Sequence, residues 1–168
     1  MNKVEYVEPR KNYLSWDDTF MLMADLIAER SKDPSTITGA VVVDSENIIL
    51  GLGYNGWPRG VGDEVFSWNR EGGYEKENYL NTKYPYLAHA EMNAVLNANK
   101  SVRGAKVYCH LFPCNECAKV MIQAGIKELI YQEDKYNDVD IFIASRRLLE
   151  AAGIKLREYK PSKKLRIE

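Results

Sequence analysis

The chain has 168 residues, 45% hydrophobic and 28% charged, which suits one globular domain with its own core. Lysine plus arginine is 23 and aspartate plus glutamate is 24, a net charge of −1 that argues against a surface built for nucleic acid. No apolar run approaches the ~20 residues of a membrane span, so neither a nucleic-acid nor a membrane partner is expected. The opening MNKVEYVEPRKNYLSW lacks an apolar h-region, so no signal peptide is expected. The three cysteines are an odd number, and without an export signal the expected setting is a reducing cytoplasm rather than a disulfide framework.

Ser15 precedes a segment with apolar residues at Trp16, Phe20, Met23, Ala24 and Ile27, a period near 3.6 that predicts a helix. Ser15 can cap it, and Asp17 and Asp18 suit the first-turn dipole. TGAVVV and NIILGLGY are β-rich runs around the turn signal DSEN and predict a hairpin. From about Asn55 to Pro85 there is no clear period, but two tryptophans and several tyrosines. A loop of that length is functional or packs over the domain. AEMNAVLNAN then predicts a helix with Met92, Val95 and Leu96 inward, and AKVYCHL a strand. NECAKVMIQA is a helix stopped by Gly125, IKELIY a strand, DVDIFIASRRLLEAA a helix stopped by Gly153, and IKLREY a closing strand. This alternation predicts parallel neighbours. With the hairpin it gives a single α/β domain over 1–168, a mixed sheet with helices on both faces. The tail KPSKKLRIE reads as a solvated charge run.

HLFPCNECAK, residues 110–119, holds Cys114 and Cys117, which share a face at the start of a helix whose N-terminus favours thiolate. Alone, a CxxC fits a redox pair, a metal or a core. The preceding elements do not look like a thioredoxin fold, and a third ligand stands upstream. His89 in AHAEMNAV has Glu91 two residues on, one helix and one strand before the cysteines. His-x-Glu followed by Pro113-Cys-x-x-Cys is the known signature of zinc deaminases. Three protein ligands leave zinc's fourth position for water, the mark of a catalytic site. Glu91 by itself would be a dipole contact; beside such a water it is a general base. Cys109 reads as core and His110 as an ordinary polar residue at a strand end, their side chains on opposite faces.

Zinc lowers the pKa of bound water from ~16 toward ~7, so a hydroxide is available at neutral pH to attack an amine-bearing ring carbon. Glu91 would carry the water proton to the ring nitrogen and then to the departing amine.

The blocks YLSWDDTFMLMADLIAERSKDPSTITGAVVV, GYNGWPRG, HAEMNAV and LFPCNECAKVMIQAGIKELIYQEDKY resemble those of the deoxycytidylate (dCMP) deaminases, in that family's order and over nearly the whole chain. The resemblance implies a cytidine-deaminase-like three-layer α/β/α fold with a roughly five-stranded mixed sheet. It implies conversion of dCMP to dUMP, the precursor of dTMP, with one Zn²⁺ per subunit on His89, Cys114 and Cys117 and with Glu91 as proton shuttle. Asn55 in YNG is the implied ribose contact, though Asn-Gly alone reads as a turn. Ala90 is implied to meet substrate. Ser31 and Lys32 in RSKDP, and Lys135 and Tyr136 in EDKY, are phosphate candidates. By themselves Lys32 reads as a surface charge and the other pair as a solvated loop. The family is typically hexameric, activated by dCTP and inhibited by dTTP with Mg²⁺. Tyr54, Gly56 and Arg59 fall in the effector region of that picture, Arg59 equally as a solvent-facing cation. Relatives with a second zinc carry extra His or Cys before the catalytic histidine, and residues 56–88 here have none. Rival readings are a tRNA adenosine deaminase, a non-catalytic competence-type zinc protein, and an enzyme that also accepts dCTP.

Overall fold

Ser15 caps the first helix, as its position predicts: its hydroxyl accepts the Asp18 amide at 3.0 Å, a bond type worth about 1 kcal/mol. The computed structural model describes residues 6–73 and 77–166; the first five residues, 74–76 of the long loop and the last two of the basic tail lie outside them. Helix α1 (Trp16–Ala28) buries Phe20, Met21, Ala24 and Ala28, while Trp16 stays exposed and stacks on Phe20 at 5.4 Å. The hairpin follows as β1 (Gly39–Val43) and β2 (Ile49–Tyr54), its turn holding Asn47 at a positive φ of 63°. Helix α2 (Ala90–Leu96), β3 (Lys106–Leu111), α3 (Asn115–Ala124), β4 (Glu128–Glu133), α4 (Asp140–Ala151) and β5 (Lys155–Glu158) complete the chain. Gly125 ends α3 in the left-handed conformation at φ 85°, where a side chain would be strained.

The sheet order is β2-β1-β3-β4-β5. β1 runs antiparallel to β2 and β3, while β3, β4 and β5 are parallel, the mixed sheet the sequence predicts. On one face, Phe20 and Met21 of α1 pack with Val41, Tyr108 and Ile130. On the other, Ala90 and Ala94 of α2, Met121 of α3 and Leu149 of α4 pack with Val42, Val107 and Leu129. The architecture is therefore α/β/α. The basic tail is not simply solvated: the Ser162 amide and hydroxyl both donate to Asp18, at 2.7 and 2.9 Å, folding the tail onto the start of α1.

Helix α2 departs from its predicted orientation. Ala90, Glu91 and Ala94 are buried, whereas Leu96 is 70% exposed. The reason lies in β2. A Cβ at Gly53 would stand 2.3 Å from the Ala90 carbonyl and the Ala94 amide, and one at Gly51 2.2 Å from the Ala94 carbonyl. The helix backbone rests directly on two glycines, so its alanines face the sheet, Val95 packs partly against the core as predicted, and Leu96 turns away. The described residues of the long loop are irregular apart from a 3₁₀ turn (Tyr79–Asn81). Its aromatics pack on one another: Trp57 lies 4.1 Å from Trp68, and Phe66 stacks on Tyr86 at 3.9 Å.

Strand register gathers one end of the sheet. Gly39 pairs with Tyr54, and Ala40 with Cys109. The start of β1, the end of β2 and the end of β3 therefore meet, and the end of β4 joins them through Leu111 opposite Glu133. Helices α2 and α3 both begin at this edge.

Candidate active site

His89 is the N-cap residue of α2 and Cys114 that of α3, both in extended backbone. Cys117 lies one helical turn on. The His89 Nδ1 stands 3.3 Å from the Cys114 Sγ and 3.5 Å from the Cys117 Sγ. Their ligand atoms all lie within 4.8 Å of one another. Zinc bonds of about 2.05 Å to nitrogen and 2.3 Å to sulfur at the tetrahedral angle would place N and S about 3.6 Å apart. The spacing and the soft N/S/S donor set thus fit Zn²⁺. Burial opposes charge on His89, but its bond with Cys114 outweighs this and raises it to about 9. The hydrogen bond between the thiols pulls Cys114 well below the ordinary thiol range and pushes Cys117 up. Both thiols give up their protons when they bind a metal.

Glu91, 7% exposed, lies beside this triangle, its Oε2 accepting from the Cys117 thiol at 3.7 Å. Burial pushes its carboxyl above the usual carboxylate range. Asn93 fixes the helix start by donating to the Tyr54 carbonyl at 2.8 Å. In front of the triangle opens a cavity of about 260 Å³, lined among others by Asn55, Lys83, His89, Glu91, Phe112 and Tyr136. Its walls are braced from behind. The Arg146 guanidinium sits 4.2 Å over the Phe112 ring while paired with Asp134, and Tyr136 stacks on Phe142 at 5.3 Å.

The other candidates distribute unevenly. Asn55 is 3% exposed and lines the cavity, but its amide is engaged. Its Oδ1 accepts the Thr38 amide at 2.8 Å, and its Nδ2 donates to the Thr36 carbonyl at 2.8 Å and to Asp33 at 3.2 Å. With both amide hydrogens used, Asn55 retains only acceptor capacity for a ligand. Ser31 donates to the Asn55 carbonyl at 2.9 Å and is a support for that residue. Lys32 pairs at the surface with Asp63 and does not line the cavity. Lys135 lines a neighbouring hollow of about 340 Å³, its ammonium 5.5 Å from the centre of the Tyr136 ring. Ala90 is fully buried in α2. Tyr54 and Gly56 stand outside the cavity lining, Gly56 bridging to Ala88, and Arg59 is exposed and bonded to Asn97. Cys109 is buried in the core. On the opposite face the His110 Nδ1 accepts the Gly39 amide at 3.1 Å, with Asp25 on its other nitrogen.

Two residues were not singled out by sequence reasoning. Asp33 and Lys83 form a fully buried ion pair at the cavity wall. Asp33 sits inside the RSKDP block, while Lys83 lies in the aperiodic loop, where no spacing marks it.

The α/β/α sheet and its N/S/S donor set together define a candidate zinc-binding site at one edge of the sheet. Residues 14–133 match the family model described as "Cytidine and deoxycytidylate deaminase zinc-binding region". The chain belongs to this family. It is 52% identical over 153 residues to "Deoxycytidylate deaminase" of Homo sapiens, covering 90% of this chain and 84% of that one. It is 48% identical over 157 residues to "Probable deoxycytidylate deaminase" of Drosophila melanogaster, covering 92% and 77%. Among solved structures, the dCMP deaminase from the cyanophage S-TIM5 in complex with dCMP and dUMP superposes with a TM-score of 0.65. It is 26% identical, and the match covers 84% of this chain and 95% of that one. Among the described residues no helix is long and apolar enough to cross a membrane.

Proposed function

We propose that the chain hydrolyses dCMP to dUMP and ammonia, supplying the precursor of dTMP. The observation that carries the reading is the buried Glu91 beside the His89–Cys114–Cys117 triangle at the floor of the cavity. The human relative's name and the phage enzyme's complex with dCMP and dUMP support this choice of base and carrier. His89, Cys114 and Cys117 would hold zinc, which would supply an activated water. Glu91 would take a proton from the attacking water as its oxygen bonds to the amine-bearing carbon, and deliver that proton to the adjacent ring nitrogen. Glu91 would then take the remaining proton of the added hydroxyl and give it to the amino group, so that the C–N bond breaks, a C=O bond forms, and dCMP plus water become dUMP plus ammonia. One carboxylate serves both transfers, because burial keeps its proton affinity high.

A panel of dCMP, CMP, dCTP, deoxycytidine and tRNA, followed by ammonia release, tests the reading. We expect dCMP to give the highest kcat/KM. Preferential turnover of tRNA, or of none of the five, would sink it.

Regulation belongs to the same proposal: activation by dCTP, inhibition by dTTP with Mg²⁺, and a homo-oligomer with the hexamer favoured. Here Arg59 would exchange Asn97 for a triphosphate, near Tyr54 and Gly56. Its exposure outside the cavity is compatible with a second nucleotide bound beside the substrate. At roughly 100 µM, several times a plausible Kd, dCTP should raise the melting temperature and the activity. If it shifts neither, regulation is absent. Sedimentation velocity measures the oligomer.

A further inference from the structure

We propose that His110 is a positioning residue that holds the cavity wall formed by Thr38 and Asn55, acting from the far face of the sheet; this rests on the reading that the cavity takes dCMP. His110 does not line that cavity, whereas Thr38 and Asn55 do. The β1–β3 ladder runs from Val43 opposite Lys106 to Ala40 opposite Cys109 and pairs no further. The next residues along are Gly39 and His110. There a side chain takes over from the backbone: the Gly39 amide donates to the His110 Nδ1 at 3.1 Å.

One peptide group carries the consequence. The Gly39 N–H and the Thr38 C=O belong to a single plane, which turns as a unit. His110 holds its N–H, and its C=O accepts the Asn55 amide at 3.2 Å. Thr38 also donates its own amide to the Asn55 Oδ1 at 2.8 Å. The plane is thus fixed between His110 on the α1 side of the sheet and Asn55 at the cavity. Glycine is the residue least able to hold such a plane by itself, because it lacks the Cβ that restricts φ and ψ. A stiffer residue does not fit: a Cβ at Gly39 would stand 2.0 Å from the Ala24 carbonyl of α1. The restraint has to come from outside, and His110 supplies it.

The imidazole is itself oriented. Its Nδ1 accepts, so the ring hydrogen lies on Nε2, where it donates to Asp25 of α1. The same Asp25 oxygen accepts from the Gln132 amide of β4 at 3.1 Å. Asp25 and Gln132 thereby set the plane of the ring and, through it, that of the Thr38–Gly39 peptide. Without the Nδ1 acceptor the Gly39 amide loses its partner and the peptide can turn, taking Thr38 and Asn55 with it. A ligand then meets a wall that must be ordered on binding, which costs affinity rather than chemical rate.

The competing account is that His110 only ties β3 to α1 through Asp25. Two substitutions separate the bonds. His110→Asn places an amide oxygen about where Nδ1 stands and keeps the acceptor, but it is too short to reach Asp25. His110→Gln can reach Asp25 with its amide nitrogen but has no acceptor at the Nδ1 position. With dCMP we expect His110→Gln to lower kcat/KM roughly 3- to 10-fold, the worth of one neutral hydrogen bond, mainly through KM. His110→Asn should stay near the wild type. His110→Ala, a second variant without the acceptor, should match His110→Gln. Followed by hydrogen exchange, the Gly39 amide should lose protection in the glutamine and alanine variants and keep it in the asparagine one. Zinc content should be the same in all, since His110 is not part of the N/S/S triangle. The reverse order, with His110→Asn impaired and His110→Gln intact, assigns the role to the Asp25 tie and overturns the proposal. A wild-type KM in all three variants, a loss confined to kcat, equal impairment of the asparagine and glutamine variants, or unchanged Gly39 exchange overturns it too. Each of these leaves the deaminase reading intact; a wild-type chain that does not turn over dCMP overturns both.

Discussion

Replacing Glu91 by glutamine should lower kcat for dCMP by roughly 10²- to 10⁴-fold, the range for loss of a positioned general acid–base group. Glutamine keeps the shape of the side chain and its capacity to accept a hydrogen bond, but it cannot take a proton from water at neutral pH. The N/S/S triangle is formed by His89, Cys114 and Cys117 without Glu91, so the variant should retain metal. Elemental analysis is expected to return one zinc per subunit for both wild type and variant. Two zincs would contradict the absence of extra His and Cys between residues 56 and 88. Full activity in a zinc-loaded Glu91→Gln protein would refute the proton shuttle. Lost activity with zinc retained would assign Glu91 to the chemistry rather than to the metal.

The site was legible in proportion to how local its signals are. Ser15 as a cap, Gly125 as a stop and the turn before Ile49 are each set by neighbours within a few residues. The ligand set was legible for a similar reason. Cys114 and Cys117 are bound by helical spacing, and a strand with a helix on either side brings His89 to the same edge. What stayed hidden depends on contacts between distant segments. Lys83 and Asp33 lie fifty residues apart, and nothing in either neighbourhood marks a buried ion pair. A lone lysine in an aromatic-rich loop reads as solvated until that loop is seen to fold onto its own tryptophans and reach the cavity. The amide of Asn55 tells the same story. Its residue type suggests ribose, but whether its hydrogens are free depends on Thr36 and Asp33, about twenty residues upstream. Periodicity also misplaced Leu96, because a hydrophobic pattern records which residues are apolar and not how closely the helix approaches the sheet.

That close approach has a measurable consequence at Gly53. A methyl group there would fall 2.3 Å from the Ala90 carbonyl and the Ala94 amide. Both are backbone atoms of α2, so no side-chain rotation relieves the clash and the whole helix must lift from β2. Overpacking of this kind costs about 1–3 kcal/mol, which in a chain of this size lowers Tm by roughly 2–12 °C. The same displacement moves the functional groups, since α2 carries Glu91 and follows directly from His89. Gly53→Ala should therefore lose activity beyond its loss of stability, measured well below its Tm, and release zinc more readily to a chelator. Gly56→Ala provides the contrast in stability. Its added Cβ would meet nothing nearer than 3.6 Å, an ordinary van der Waals contact, so its Tm should stay close to that of the wild type. If Gly53→Ala melts with the wild type and holds zinc as firmly, then the glycine floor under α2 does not position the metal ligand and the proton carrier.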